Sequence, residues 1–429
     1  MGAVSLIRLS GADASEIARA AFGLKKIPAP RHVALVRVKE VNGEEIDSGL
    51  ATFFAGPRSY TGEDVVEFAG HGGVVVTRKV LERFIELGAH PAGPGEFTQR
   101  AFLNGKLDLT QAEAVMDLIT AQTSLALRSA REQLAGRLGT RCEEMRASLL
   151  GIVAHLEAFI DFPEEDIDPE VGEVLCRKME KVLAEIQQLL GTADQGRILR
   201  EGARTVIFGK PNAGKSSLMN RLLGTDRAIV NARAGTTRDM IEETVNVGGI
   251  PIRLIDTAGL RDSGDEIEQQ GMAITEAQIA QADLILEMRD LSEKFAPEPA
   301  REIENGKRIL ILNKCDVEDP SWAGVEGLRV SCVTGAGLEN LTETIARTLS
   351  LDESQWGLHS VAVNARHQSC LQRAAEALEQ SLEGMRAGLE TELVSIDLRE
   401  ALSAIGDIAG VVDTEEILGE IFGSFCIGK

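Results

Sequence analysis

Residues Gly209-Lys210-Pro211-Asn212-Ala213-Gly214-Lys215-Ser216 match the spacing G-x-x-x-x-G-K-[ST], a device for holding a polyphosphate. Its two glycines let the backbone curl until its N–H groups point inward. The helix that follows adds its positive end, so the loop cradles α- and β-phosphates. Lys215 can reach the β- and γ-phosphates, and the Ser216 hydroxyl is placed to bind Mg²⁺; Asn212, Ala213, Gly214 and Ser217 complete the expected contacts. The motif needs a strand before it and a helix after it. Thr205-Val206-Ile207-Phe208 supplies the first and Ser217-Leu218-Met219-Asn220-Arg221-Leu222-Leu223 the second. The stretch implies binding of a nucleoside triphosphate.

Four further strings sit near apolar runs of the kind that place ligand groups at the carboxyl ends of parallel strands. Asp256-Thr257-Ala258-Gly259 follows Ile252-Arg253-Leu254-Ile255; an Asp there can hold Mg²⁺ through water, and Gly259 can offer its N–H to the γ-phosphate. Gly235-Thr236-Thr237-Arg238-Asp239 lies between the two, where Thr237 gives the metal a second hydroxyl. Asn313-Lys314-Cys315-Asp316 follows Arg308-Ile309-Leu310-Ile311-Leu312, and the Asp316 carboxylate can accept both N1–H and N2–H₂ of guanine, a donor pair that adenine lacks. Ser331-Cys332 closes Gly327-Leu328-Arg329-Val330, where a backbone N–H meets guanine O6. Each string alone is weak, but in this order they specify GTP. Leu260 follows Gly259 and cannot orient water as the Ras glutamine does. Another group has to place the nucleophile, and the acidic run Asp262, Asp265, Glu266, Glu268 is the candidate source.

These residues need a scaffold, and 429 residues exceed one ordinary core. A mean hydropathy of −0.03 marks a soluble globular chain, and no apolar run reaches the ~18 residues of a spanning helix. No signal peptide is visible. The six cysteines lack paired C-x-x-C spacing, so neither a zinc site nor a disulfide scaffold is expected and a reducing cytoplasm is the expected home. A net charge of −22 excludes broad non-specific binding to nucleic acid, though not a local basic patch for a particular RNA.

Residues 1–106 read as mixed α/β, with strands at Val4–Leu9, Val33–Val38 and Val65–Phe68 and a turn at Asn42-Gly43. From Leu107 the pattern is helical. Thr110 with Glu113 forms a capping box ahead of the stripe Ala112, Val115, Met116, Ile119, and a second stripe is Leu149, Ile152, Val153, Leu156, halted by Pro163. A break falls at Gly191–Asp194. Residues 202–352 alternate strands and helices as a doubly wound sheet does. Residues 353–429 are helical again, with the stripe Leu398, Ala401, Leu402, Ile405 and a last helix capped by Asp413 that buries Leu418, Ile421, Phe422 and Phe425. The α/β module is therefore expected as an insertion, with 107–201 and 353–429 closing into one bundle.

With these residues assembled, the chain resembles the MnmE (TrmE) family of tRNA-modification GTPases over essentially its whole length. The resemblance rests on Pro57-Arg58-Ser59-Tyr60-Thr61-Gly62-Glu63-Asp64, His71-Gly72-Gly73, Pro94-Gly95-Glu96-Phe97, Leu103-Asn104-Gly105-Lys106-Leu107-Asp108-Leu109, the inserted GTPase strings and the terminal Phe425-Cys426-Ile427-Gly428-Lys429. It implies an N-terminal α/β folate-binding and dimerising domain, a discontinuous helical bundle and an inserted Ras-like P-loop G domain. It also implies a homodimer that acts with the FAD-dependent partner MnmG on the wobble uridine (U34) of certain tRNAs. There an aminomethyl-type group is added at C5 from a tetrahydrofolate derivative (5-formyl- or 5,10-methylene-tetrahydrofolate). Family folate contacts fall on Arg8, Glu67, Lys106 and Lys429, with Cys426 beside the folate. A K⁺ ion replaces the arginine finger, held by Asn212, Asn231, Arg233 and Thr236, and Glu268 is selected from the acidic run to position water. Many members carry further residues ahead of the strand with Arg8, which bears on the dimer contact that strand helps form.

Two rival readings follow from the same residues. A ribosome-assembly GTPase without chemistry of its own has no reason to carry the folate-type motifs or the terminal Cys-Ile-Gly-Lys. A stand-alone folate aminomethyltransferase leaves the G domain without a purpose.

Overall fold

In a computed structural model the described residues are 2–161, 169–225, 242–255, 279–296, 307–349, 362–410, 415–423, 425 and 428. The chain divides into two compact units. One is Met1–Met116, Gly139–Glu143 and Gly406–Lys429, the other Asp117–Leu138 and Glu144–Ile405.

The first unit contains β1 (Val4–Ser10), α1 (Ala14–Ala21), β2 (Val33–Lys39), β3 (Glu45–Phe54), β4 (Val65–His71), α2 (Val74–Glu86) and α3 (Glu96–Leu103). Its strands form an antiparallel sheet in the order β1-β4-β3-β2. Alternation along the strands sends Val36, Ala51, Phe53 and Phe68 to a core shared with Ala18 and Phe22 at α1 and with Val80 and Phe84 of α2. Phe22 anchors it, its ring 5.9 Å from that of Phe68 and 6.1 Å from that of Phe84. The register aligns Leu6 with Ala69, Ala69 with Leu50 and Leu50 with Leu35. Those three leucines stay 59, 50 and 74 % exposed, so the strands are apolar on both faces while one is covered within the unit.

Helix α4 (Leu109–Thr120) starts earlier than its expected cap. The reciprocal bonds belong to Asp108 and Gln111. The Asp108 carboxylate accepts from the Gln111 N–H at 2.8 Å, and the Gln111 side chain accepts from the Asp108 N–H at 3.0 Å. Thr110 and Glu113 are buried inside the helix, and the Thr110 hydroxyl donates to Asp108. Asp108 won because its carboxylate reaches the first free N–H groups from outside the helix. The stripe is also shorter than expected: Ala112 and Val115 are buried, but Ile119 is 42 % exposed because its turn lies at the helix end.

Apart from Gly139–Glu143 of α6 and the end of α12 from Gly406, the second unit holds α5 (Ser124–Leu134), α6 (Arg137–Asp161), α7 (Pro169–Leu190), α8 (Ala193–Glu201), β5 (Ala203–Gly209), α9 (Lys215–Thr225), β6 (Glu242–Val247), β7 (Ile250–Ile255), β8 (Leu284–Asp290), β9 (Lys307–Asn313), β10 (Leu328–Val330), α10 (Leu338–Thr348), α11 (Ala365–Ala387) and α12 (Thr391–Ala409). A final α13 (Glu415–Gly423) belongs to the first unit, with Leu418, Phe422 and Phe425 buried. Asp413 lies outside the described residues, as does Pro163.

The helices before and after the α/β module close into one bundle. Leu149, Ile152, Val153 and Leu156 of α6 are buried, as are Leu398, Ala401 and Ile405 of α12, with Leu402 half-buried. Arg399 of α12 donates to Glu157 of α6 at 2.6 Å, and Arg386 of α11 pairs with Glu180 of α7.

The six-stranded sheet runs β10-β9-β8-β5-β7-β6, parallel except for the β6–β7 hairpin. Both faces are covered, as a parallel sheet requires. Ile207, Leu284 and Leu286 face a core shared with Leu218 and Leu222 of α9 and Leu341 and Ile345 of α10. Val206 and Ile285 pack with Ala282 on a separate core. Leu125 of α5 and Ile198 and Leu199 of α8 join the first of these cores, so the module and the helices beside it share one interior.

Candidate functional site

The chain leaves β5 to β7 on one side of the sheet and to β8 on the other, which makes the carboxyl end of β5 the point where strand order reverses. The loop 209–216 sits there. Gly209 (φ +156°) and Gly214 (φ +97°) carry its curvature. A Cβ on Gly214 would lie 2.1 Å from Asn313 Nδ2, and one on Gly209 would lie 2.3 Å from the Met288 carbonyl. Asn212 is also left-handed, at φ +63°. Lys215 folds back over the loop and donates to the carbonyls of Gly209 at 2.7 Å and Lys210 at 2.8 Å. Burial lowers the pKa of this ammonium, since both its partners are neutral dipoles. An anion is what the site is built to receive.

Asn313, 2 % exposed, joins this loop to the strings that follow it. Its Nδ2 donates to the Ala213 carbonyl at 2.8 Å, and its Oδ1 accepts from the Cys332 N–H at 3.3 Å. Arg221 on α9 adds two more ties, to the carbonyls of Cys332 at 2.9 Å and Val333 at 2.8 Å. Lys314 (φ +65°) pairs with Asp290 at the end of β8. Burial opposes the Asp290 charge, but hydrogen bonds from Lys314 and Ser292 outweigh it and hold the carboxyl below its ordinary value. Asp316 is exposed on the 3₁₀ turn Cys315–Val317. The Ser331 N–H donates to the Ala336 carbonyl, leaving the Cys332 N–H, on its long bond, as the better placed of the two for an incoming acceptor. Burial raises the pKa of the Cys332 thiol, which keeps it neutral.

In the first unit, Arg8 and Glu67 stand opposite one another in the β1–β4 register. Arg8 Nε and Nη2 both donate to Glu67 Oε1, at 2.9 and 2.7 Å, and the guanidinium lies 5.5 Å from the ring centres of Tyr60 and Phe97. A cavity of about 520 Å³ opens beside it, lined by Arg8, Leu9, Ile17, Phe97, Arg100 and Gly428 among others. Lys106 donates to the Pro57 carbonyl at 3.1 Å. Neither Glu67 nor Lys106 lines that cavity.

The residues 1–106 match the family model for the GTP-binding protein TrmE N-terminus, and 109–426 match the model for the MnmE helical domain. A tRNA modification GTPase MnmE of Akkermansia muciniphila is 46 % identical over 434 residues, covering 100 % of this chain and 96 % of that one. One from Aquifex aeolicus is 42 % identical over 437 residues, covering 100 % and 97 %. The chain belongs to the MnmE family. Among solved structures, Era of Aquifex aeolicus bound to GDP and AlF4⁻ is 26 % identical over 40 % of this chain and 65 % of that one, at a TM-score of 0.26.

For a member of the MnmE family, the structure brings Ala213, Gly214, Lys215, Asn313, Lys314, Ser331 and Cys332 around one loop. Ser216 and Ser217 open α9 behind it. Asn231, Arg233, Thr236, Thr237, Asp256, Thr257, Ala258, Gly259, Glu268, Cys426 and Lys429 lie outside the described residues. Among the described residues no cluster of His, Cys, Asp and Glu is arranged to hold a metal, and no helix is long and apolar enough to cross a membrane. The sequence reading missed a network that explains two of its own motifs. Ser10 shares its hydroxyl with Thr61 at 2.6 Å and donates to Glu63 at 2.8 Å, and Arg100 bridges Glu63 at 3.2 Å and Glu96 at 2.7 Å. Burial opposes the Glu96 charge, but the Arg100 hydrogen bond and the Gly93 N–H hold its carboxyl low. Opposite charge four residues apart at Glu96 and Arg100 was the available signal, while distance in sequence hid the link to Glu63.

Proposed function

We propose that this chain binds and hydrolyses GTP in the service of tRNA modification, at the wobble uridine, with a tetrahydrofolate derivative as one-carbon donor and an FAD-dependent MnmG-type partner. Membership of the MnmE family over the full chain is the observation that carries the reading. The geometry of loop 209–216 supports its nucleotide half. The half-buried ammonium of Lys215 loses its present neutral partners and, with the cradle N–H groups, gains phosphate oxygens, a charge-assisted exchange. Asp316 reads the guanine edge, and Asn313 holds its strand end against the cradle. Ser216 and Thr237, with Asp256 through water, would hold Mg²⁺, which would neutralise charge on the phosphates. Asn212, Asn231, Arg233 and Thr236 would hold K⁺, which would supply the positive charge that an arginine finger gives elsewhere. Leu260 cannot hold water, so Glu268 accepts a hydrogen bond from the nucleophile and aligns it.

The folate half rests on the cavity beside Arg8. Its apolar walls suit a flat ring system, and its arginines suit the glutamate tail. Arg8, fixed by Glu67, and Lys429 hold the ligand in this reading, with Cys426 close by; Lys106, the remaining expected contact, does not line the cavity. Homodimerisation is supported by the row Leu6, Leu50, Leu35 on the open sheet face, a patch that a second copy would cover. The organisation proposed is 1–106 for folate binding and dimerisation, 202–352 for GTP, and 107–201 with 353–429 for the bundle, in a cytoplasmic protein.

GTP hydrolysis by the purified full chain tests the nucleotide half. Turnover should be fast in KCl, slow in NaCl at equal ionic strength, and absent in Lys215→Ala. Lack of hydrolysis in either salt overturns it; equal rates in the two salts remove K⁺ alone.

A further inference from the structure

The acidity of this chain is unevenly placed. Residues 1–106 carry 13 Lys and Arg against 12 Asp and Glu, and the remainder carries 32 against 55. The N-terminal part is therefore +1 and the rest −23, so a polyanion meets repulsion from most of the chain and none from this part. Within it, three cations converge. Arg31, at the entry to β2, donates through Nη2 to the Arg58 carbonyl at 2.9 Å, and Lys106 donates through Nζ to the adjoining Pro57 carbonyl at 3.1 Å. Carbonyls of neighbouring residues thus hold Arg31 and Lys106 at the turn that carries Arg58. All three are exposed, and among the described residues none is ion-paired with a carboxylate. Asp64, six residues after Arg58, has an oxygen engaged by the Gly56 N–H.

Neutral acceptors fix the direction of these cations without cancelling their charge. Arg78 on Glu82 and Lys79 on Glu40 are held by carboxylates instead. We propose that Arg31, Arg58 and Lys106 form a docking surface for the phosphate backbone of tRNA. Phosphate contacts of this kind position an RNA and carry no sequence information. The proposal rests on the reading of tRNA as the partner of this chain.

The test is fluorescence anisotropy of labelled tRNA with the full chain at several salt concentrations, comparing wild type with Arg31→Gln/Arg58→Gln. Each lost phosphate contact lowers the slope of log K against log salt by about 0.7–0.9, so the double variant should lose about 1.4–1.8. Its deficit in affinity should then be about tenfold larger at 50 mM than at 200 mM salt. Arg78→Gln, removing a paired cation from the same unit, should bind as wild type, and Arg31→Lys/Arg58→Lys should restore most of the slope. Unchanged melting temperature and GTP turnover confirm an intact fold. An unchanged slope in the double variant overturns the docking surface alone, as does an equal loss in Arg78→Gln. If that variant kept its tRNA slope but bound 5-formyltetrahydrofolate more weakly, the cluster would serve the cavity ligand and the proposal would fall. If wild type bound no tRNA at any salt, the tRNA reading itself would fail.

Discussion

Replacing Asn313 by alanine isolates what holds the nucleotide loop to the base-reading strings. The substitution leaves two backbone groups without their partners: the Ala213 carbonyl, bonded at 2.8 Å, and the Cys332 N–H, bonded at 3.3 Å. A buried polar group stripped of its partner costs about 1–3 kcal/mol. The longer bond contributes at the low end, so the pair amounts to about 2–4 kcal/mol. For a module of this size each kcal/mol shifts the midpoint by about 2–4 °C, which predicts a drop of about 4–16 °C in the transition of the G domain. Since Ala213 lies inside the cradle, GTP affinity should fall with it, by at least tenfold. Calorimetry with a fluorescent GTP titration reads both quantities. Asn313→Asp separates the two bonds: it keeps the acceptor for Cys332 and loses the donor to Ala213. An Asn313→Ala protein that melts within a degree of wild type and binds GTP equally well would refute the reasoning.

Three further outcomes are expected. Asp316→Asn should lose about one to two decades of GTP affinity, the cost of one unpaired donor on guanine, and should gain XTP; unchanged GTP affinity without that gain removes Asp316 from base recognition. Glu268→Ala should lose about two to four decades of turnover, the range of a positioned acid–base group, with GTP affinity within a few-fold and Glu266→Ala mild; a normal rate in Glu268→Ala assigns the water to another carboxylate. Nucleotide affinity should decline with rising pH through the Lys215 pKa. Burial has lowered that pKa from its ordinary 10.5 in the free protein, and a bound polyphosphate favours the charged form. Affinity is thus full below the free-protein pKa and weakens above it, starting at lower pH than for an exposed lysine; binding titrations from pH 7 to 10 on wild type and Lys215→Arg should diverge at the alkaline end.

The parts of this molecule legible in the sequence are those where local chemistry permits one solution. Gly209 and Gly214 had to be glycine because any Cβ there strikes Met288 or Asn313, and β5, β7 and β9 announce themselves as apolar runs before polar strings. The helix stripes of α6 and α12 were legible for the same reason. Where two local solutions compete, the sequence misleads: Asp108 and Thr110 can each cap α4, and only the approach of the preceding chain decides for Asp108. Contacts between remote segments stayed hidden. Arg8 faces Glu67 only through strand register, and Arg100 joins Glu63 to Glu96 only once α3 is packed. Leu125 and Ile198, sequence neighbours of the bundle, lie in the core of the sheet, which no periodicity could foretell.

The central claim is tested most directly by nucleoside analysis of tRNA from cells lacking this chain, with complementation by wild type and by Lys215→Ala. The account predicts loss of the C5 aminomethyl-type modification at wobble uridine, restored by wild type and not by Lys215→Ala. A full complement of that modification in the deleted cells would contradict it.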